Sequence, residues 1–511
     1  MRSASYTVVL FMLTQALAGA QAGGNSRPAK VVEDGTVIED VTLISPERTA
    51  PLPHVSVVIR RGKIAEVAKN LVAGAHAMRI DGRGKFLIPG LIDTHVHVAP
   101  MGLLDGDAAG AHPELRQAYR AQLPKSYLAF GFTTLVDLDH AEPIDWFSAG
   151  RVHPNLYHCG RGVHALSSYG AFQIPKDAAA ANAANIVYEA ARAKEWPAGL
   201  DPEDYSVKRA VDRVVDAGGI CVKTFVESGF GGVFSWPVPQ PETLAALREE
   251  TRRRGLVFLV HANAVDSWQA AINAHTDVIA HGLWHWRGDR ANTEPPKEAH
   301  DVIQAAADRG IHVQPTLQVV YGEGAIFDPS ILNDPRMAEA LPTTLMDYLK
   351  GSEAEAARRT LENEYRQAGA KILGPSADMA KFMTIAPRRA TATVKIMLAD
   401  RVQLLFGSDT PAGEGIGNPP GLNGRLELQR WFEAAVPLAR ILRAATLDNA
   451  AEFGLAKDRG TVEVGKRADL LLLHADPLKD IAAYDAIDMV VVGGDAIPRG
   501  TLLPASPVKT R

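Results

Sequence analysis

An apolar run that ends in two histidines one residue apart, Leu87-Ile-Pro-Gly-Leu-Ile-Asp-Thr-His-Val-His97, constrains this chain more than any other stretch. In an extended strand, side chains two residues apart lie on the same side. His95 and His97 therefore project together, as two imidazoles closing on one metal ion must. One such pair is weak evidence, because two histidines on a strand are more often ordinary polar residues. Further ligand-type residues stand at the ends of later apolar runs, and that recurrence gives the pair its weight.

Those later runs alternate with helical patterns, as a parallel α/β fold requires. Strands are expected over Thr133–Leu138, Asn155–Cys159, Ile220–Phe225, Leu256–Val260, Thr276–Ala280, Ile311–Gln314 and Val402–Phe406. With the His95 strand they make eight, the number that closes a (β/α)8 TIM barrel. Helices are expected over Ser206–Asp216, Pro241–Arg254 and Lys297–Arg309. The segment 323–380, rich in Ala, Glu and Arg, exceeds an ordinary connection and predicts added helices, a candidate lid. Residues 29–86 and 453–505 instead carry short β-type runs separated by turns such as Asp34-Gly, Arg61-Gly-Lys and Asp81-Gly-Arg-Gly. They predict a small β-sandwich built from both terminal segments, flanking a barrel over residues 87–452.

A length of 511 residues accommodates a large barrel and a second module. The net charge of -5, with no basic cluster interleaved with aromatics, gives no electrostatic case for nucleic acid or an anionic membrane. Residues 1–22 read as a signal peptide: Arg2, a largely apolar stretch from Tyr6 to Leu17, then Ala18-Gly19-Ala20 or Ala20-Gln21-Ala22 for cleavage. The apolar part is short for a bilayer span of about 20 residues. A secreted or periplasmic mature protein is expected, with no membrane association after cleavage. Cys159 and Cys221 are the two cysteines. In an exported protein they could pair, buried free thiols are equally compatible, and spacing does not decide. Their number excludes a cysteine-based metal site.

Residues at the C-terminal ends of barrel strands face the active site. Those positions hold His95 and His97 on strand one, Lys223 on strand four, His261 on strand five, His281 on strand six, and Asp409 after strand eight. Singly, His261 or His281 reads as a hydrogen-bonded pocket histidine, and Asp409 as a helix cap before Thr410-Pro411. Lys223 inside an apolar strand is harder to dismiss, because an unpaired buried ammonium is costly.

Taken together, these stretches resemble the amidohydrolase superfamily of metal-dependent hydrolases. Leu87–His97 is similar to its opening motif, Ala274-His-Thr-Asp-Val-Ile-Ala-His-Gly282 to its strand-six motif, and Phe406-Gly-Ser-Asp-Thr410 to its strand-eight motif. Ala445-Thr-Leu-Asp-Asn-Ala-Ala451 and Gly460-Thr-Val-Glu-Val-Gly-Lys-Arg-Ala-Asp469 resemble its C-terminal signatures. The resemblance implies two divalent metal ions, typically Zn2+. By it, His95, His97 and Asp409 hold one ion and His261 and His281 the other, with Lys223 between them, carboxylated by CO2. It further implies amide hydrolysis by metal-activated hydroxide, with Asp409 as the proton carrier. Deaminases on this scaffold carry a glutamate shortly after the strand-five histidine, whereas here Ala262-Asn-Ala264 follows His261.

The expected substrate is thus a dipeptide or N-acyl amino acid, as in secreted dipeptidase, prolidase-like and ochratoxin-hydrolysing members. The alternatives are a lactonase or phosphotriesterase, then a deaminase; a non-catalytic barrel should have lost ligands that are all present. Tyr157, His158, Arg161, His164 and His285 are the candidate substrate-binding residues, each also readable as a structural loop residue. A small molecule is the expected partner, nucleic acid is not, and homo-oligomerisation stays open.

Overall fold

The computed structural model describes residues 29–101, 110–140, 142–170, 185–411 and 415–505. The expected signal peptide lies outside them. Among the described residues, no helix is long and apolar enough to cross a membrane.

Both ends of the chain enter one eight-stranded mixed sheet. Its order is Asp495–Pro498, Ile487–Val492, Leu470–Leu473, Phe86–Pro89, Thr36–Leu43, Leu52–Arg60 and Lys63–Ala68, with Met78–Asp81 also paired to Thr36–Leu43. Ile38, Val57, Leu87, Leu470 and Leu472 are buried together, so side chains more than 400 positions apart share one apolar cluster. Thr36–Leu43 changes partners along its length. Its first half pairs with Met78–Asp81 and its end with Phe86–Pro89, across irregularities between Ile38 and Leu43.

The sequence reads as one strand from Leu87 to His97, but the structure divides it at Gly90. Phe86–Pro89 belongs to the terminal sheet, and Leu91–Val96 begins the parallel part. The Gly90 N–H donates to the Asp469 carbonyl at 2.9 Å. A Cβ at Gly90 would meet Thr133 Oγ1 at 2.1 Å, so the crossover requires the absence of a side chain.

The parallel part comprises two sheets. One is ordered Asn155–His158, Phe132–Asp137, Leu91–Val96; the other Cys221–Phe225, Val257–His261, Val278–Ala280, His312–Gln314. Isolated parallel bridges Val163–Thr224, Val313–Leu404 and Val96–Thr410 tie strands of these sheets to backbone outside them. The expected strand Val402–Phe406 contributes only the Leu404 bridge, with Leu405 N donating to the Val313 carbonyl at 2.8 Å. Among the described residues the architecture is thus mixed α/β without an unbroken eight-stranded ladder.

Alternate positions of these strands, Val136, Leu138, Cys159, Cys221, Leu259, Val278 and Leu405, pack into one buried cluster. Within it Cys159 and Cys221 are joined as a disulfide, which resolves the pairing left open by their spacing. The expected helices form as Val207–Asp216, Pro241–Arg254 and Lys297–Asp308. Ser206 caps the first by accepting from Arg209 N, while the second starts at proline and stops at Gly255, at φ 67°. The long segment after residue 323 is helical, chiefly Thr343–Leu349 and Ser352–Leu373.

Candidate metal centre

Side chains leaving the C-terminal ends of the parallel strands converge. Asp409 lies at their focus: its Oδ1 is 3.3 Å from His95 Nε2 and 3.1 Å from His97 Nε2, and its Oδ2 is 3.7 Å from His281 Nδ1. His261 packs edge-on against His281, with ring centroids 4.4 Å apart. Lys223 is buried beneath, its Nζ 5.1 Å from the Phe225 ring centroid, and its charge acts on all four imidazoles. The six ligand-type residues read from the sequence therefore meet at one place.

Two residues of this group and the Thr316 that contacts His281 have left-handed backbone: His281 at φ 94°, Asp409 at φ 57° and Thr316 at φ 44°. Such conformations are costly outside glycine and concentrate where geometry serves function. The strands supply direction, and these turns supply the final aim.

Each outer imidazole has one nitrogen tied back to the scaffold. His97 Nδ1 lies 3.1 Å from the Asp139 carbonyl, His281 Nδ1 2.9 Å from Thr316 Oγ1, and His261 Nε2 3.3 Å from Glu227 Oε2. The opposite nitrogens of His281 and His261 make no hydrogen bond among the described residues. Orientation of a ring through its distal nitrogen is how proteins fix a metal-binding tautomer. His95 goes further. It is fully buried, and neither ring nitrogen makes a hydrogen bond of normal geometry. An orphaned imidazole in the interior is costly unless something else takes its lone pair. His95, His281 and Asp409 offer donor atoms within 4.8 Å of one another, so these residues fit a divalent ion.

Electrostatics follow from burial. Desolvation pushes His95 down to about 3 and Lys223 down to about 8, the latter against the pull of Asp409 and Asp139. Burial also lowers His97, but the Asp409 carboxylate outweighs it and raises that imidazole to about 9. Asp409 itself is pushed up by burial, yet His95, His97 and His281 hold its carboxyl well below the usual range.

The candidate substrate residues divide. His164 stacks on Phe225 at 4.6 Å, its Nε2 3.7 Å from Asp139 Oδ2, and Arg161 Nε lies 4.0 Å from the other oxygen. Both sit beside the carbonyl that orients His97. His285 lies under the loop after Lys223, its Nδ1 2.7 Å from where a Gly231 Cβ would stand, and burial lowers it to about 4.

Tyr157 and His158 are not brought to the cluster. Tyr157 points into the packed interior with its ring 5.3 Å under the Arg459 guanidinium. His158, on the opposite face of the strand, packs edge-on against His140. Tyr157 shares the face of Cys159 and packs against that buried cluster, whereas His158 takes the opposite face. Glu227, Asp139 and Thr316 were missed. The available signal for the first two was a carboxylate one or two positions beyond a strand end, at Asp139 and Glu227.

The sequence profile of the amidohydrolase family matches residues 86–497. The chain is 47% identical over 47 residues to a dihydroorotase of Trichlorobacter lovleyi, covering 9% of this chain and 11% of that one. A dihydroorotase of Anaeromyxobacter sp. strain K matches at 28% over 117 residues, covering 22% of each. The chain thus spans only about a tenth to a fifth of these curated relatives. A solved Xaa-Pro dipeptidase with bound methionine superposes with a TM-score of 0.62 at 19% identity, over 91% of this chain and 99% of that one. The ochratoxinase of A. niger superposes with a TM-score of 0.61 at 21% identity, over 90% and 95%. The profile match across most of the chain, including the strand that carries His95 and His97, places this protein in the amidohydrolase family.

Proposed function

We propose that this protein is a metal-dependent amidohydrolase cleaving the amide C–N bond of a small substrate such as a dipeptide or an N-acyl amino acid. The observation that carries the reading is His95, fully buried with neither ring nitrogen in a hydrogen bond of normal geometry, 3.3 Å from the Asp409 carboxylate around which three further imidazoles gather. Donors of this kind suit two divalent ions, zinc first, held by His95, His97, Lys223, His261, His281 and Asp409. Ions bound there supply the Lewis acidity that activates water and polarises a carbonyl.

The chain's own groups do the rest. Lys223, lowered to about 8, holds a share of free amine near neutral pH, and attack on CO2 with loss of a proton turns it into an anionic ligand. The Asp409 carboxylate takes a proton from the attacking water on one oxygen and delivers it to the leaving nitrogen. Arg161, beside Asp139, is the candidate partner for a substrate carboxylate, and His285 for its polar edge, while His164 holds Asp139 in place.

The two parallel sheets and their bridges support a closed (β/α)8 barrel over residues 87–452, with residues 29–86 and 453–505 forming the flanking β-sandwich. The buried disulfide supports a secreted or periplasmic location, since disulfides persist in oxidising compartments.

Metal analysis together with a hydrolysis screen over dipeptides and N-acyl amino acids tests the reading. Asp409→Asn is expected to retain most metal while turnover falls roughly 10²–10⁴-fold, and Lys223→Ala to lose metal. A wild-type protein that stays inert after metal and bicarbonate are supplied overturns it.

A further inference from the structure

A wall of aromatic rings leads from solvent to the imidazole cluster, and no role above uses it. Tyr169 stands at its inner end, its ring centroid 5.3 Å from that of His261 and 5.9 Å from that of Phe225. Outward, Tyr169 meets Phe230 and Trp236, each at 5.3 Å, and Trp236 stacks on Phe234 at 4.7 Å and 13°. Burial falls along the same line. Phe225 is 7% exposed, Tyr169, Phe230 and Trp236 are half-buried, and Phe234 is 49% exposed.

Exposed rings are ordinary on a floppy loop, but this loop is braced. Within it, Gly232 N and Phe234 N both donate to the Gly229 carbonyl at 3.0 Å, and Trp236 N to that of Ser228 at 3.1 Å. The Glu227 carboxylate accepts from Gly229 N at 2.7 Å and Phe230 N at 2.6 Å while also contacting His261 Nε2 at 3.3 Å. One side chain thus fixes the aromatic loop relative to the imidazole cluster. Gly229, at φ 133°, lets the loop close, since a Cβ there would stand 2.0 Å from the Phe234 carbonyl oxygen. A preorganised apolar surface that opens to solvent and ends on the imidazole cluster is the form a ligand subsite takes. Its lining chooses the occupant: Tyr169 is flanked by the rings of Phe225, Phe230 and Trp236, which suits an uncharged ring.

We propose that Tyr169, Phe230, Phe234 and Trp236 form an aryl subsite, so that the amide substrate carries an uncharged aromatic group on the His261 side of the cleaved bond. The proposal rests on the hydrolase reading for its reaction, and on the rings themselves for its specificity. Aromatic partners in offset or edge contact add roughly 0.5–1.5 kcal/mol beyond the area they bury.

The test compares matched substrates on the metal-loaded full chain: N-acetylphenylalanine against N-acetylalanine, and phenylacetylglycine against acetylglycine. At least one aryl member is expected to show kcat/KM tenfold or more above its partner. Phe234→Ser, at an exposed position that folding tolerates, and Trp236→Ala should each collapse that ratio toward one. Phe432→Ala, an exposed ring on the separate Leu422–Glu433 helix, should leave the ratio intact. Equal rates within both pairs, or a ratio untouched by both loop variants, overturns the aryl subsite while hydrolysis stands. If no amide is cleaved, the hydrolase reading falls. Saturation-transfer NMR of 3-phenylpropanamide then still decides the subsite: loss of transfer in Trp236→Ala and Phe234→Ser supports it, and absence of transfer in the wild type ends it.

Discussion

His97 answers two opposed demands. Beside Asp409 its imidazole is raised to about 9, so without metal it carries a proton at neutral pH, yet it can ligate a cation only after losing that proton. The raised value means that this ion pair stabilises the metal-free fold fully below about 6.5 and that the contribution disappears as pH climbs through about 9. Metal affinity runs the other way. It is expected to rise between pH 6 and 9, by up to about tenfold per unit for each proton displaced. Calorimetric titrations in buffers of different ionisation enthalpy count those protons, and a pH-independent affinity contradicts the role of His97. The convergence of these six side chains was legible in the sequence because each lies in, at or just past the end of an apolar run, where strand direction fixes its aim. The placement of Tyr157 and His158 was not, because nearness to a strand end gives neither the depth of a side chain nor the side of the strand it takes. Glu227 was missed because its significance lies in a contact with His261, 34 positions away.

At the scale of elements, apolar periodicity located most strands and helices to within a residue or two. It failed where two sheets share one uninterrupted apolar run. Nothing between Phe86 and Val96 marks a boundary except Gly90, and that glycine matters only because Thr133 crosses behind it. Likewise Val402–Phe406 has strand composition but only the Leu404 bridge, because neighbouring backbone decides whether a ladder forms. Gly90→Ala should therefore destabilise the protein by roughly 1–3 kcal/mol, as overpacking does. Thermal denaturation measures this, and an unchanged midpoint contradicts the close approach to Thr133. The helices were easier, since Ser206 and Gly255 act as local start and stop signals that need no distant partner.

Over the whole molecule, the Cys159–Cys221 disulfide spans 62 positions and joins the ends of two neighbouring strands. In the chain-entropy account, a closed loop of that size contributes about 4 kcal/mol by restricting the unfolded chain. Paired Cys159→Ala and Cys221→Ala substitutions should lower the denaturation midpoint by a corresponding amount. Because Cys221 begins the strand that carries Lys223, the same variant should also bind metal more weakly; wild-type stability in the variant removes the disulfide from this role. The pairing of Phe86–Pro89 with Leu470–Leu473 has a consequence for biosynthesis. While a ribosome is still making the last fifth of the polypeptide, the segment immediately ahead of His95 lacks its antiparallel partner. The sheet that anchors the lead into the His95 strand therefore closes only once Leu470–Leu473 has been made.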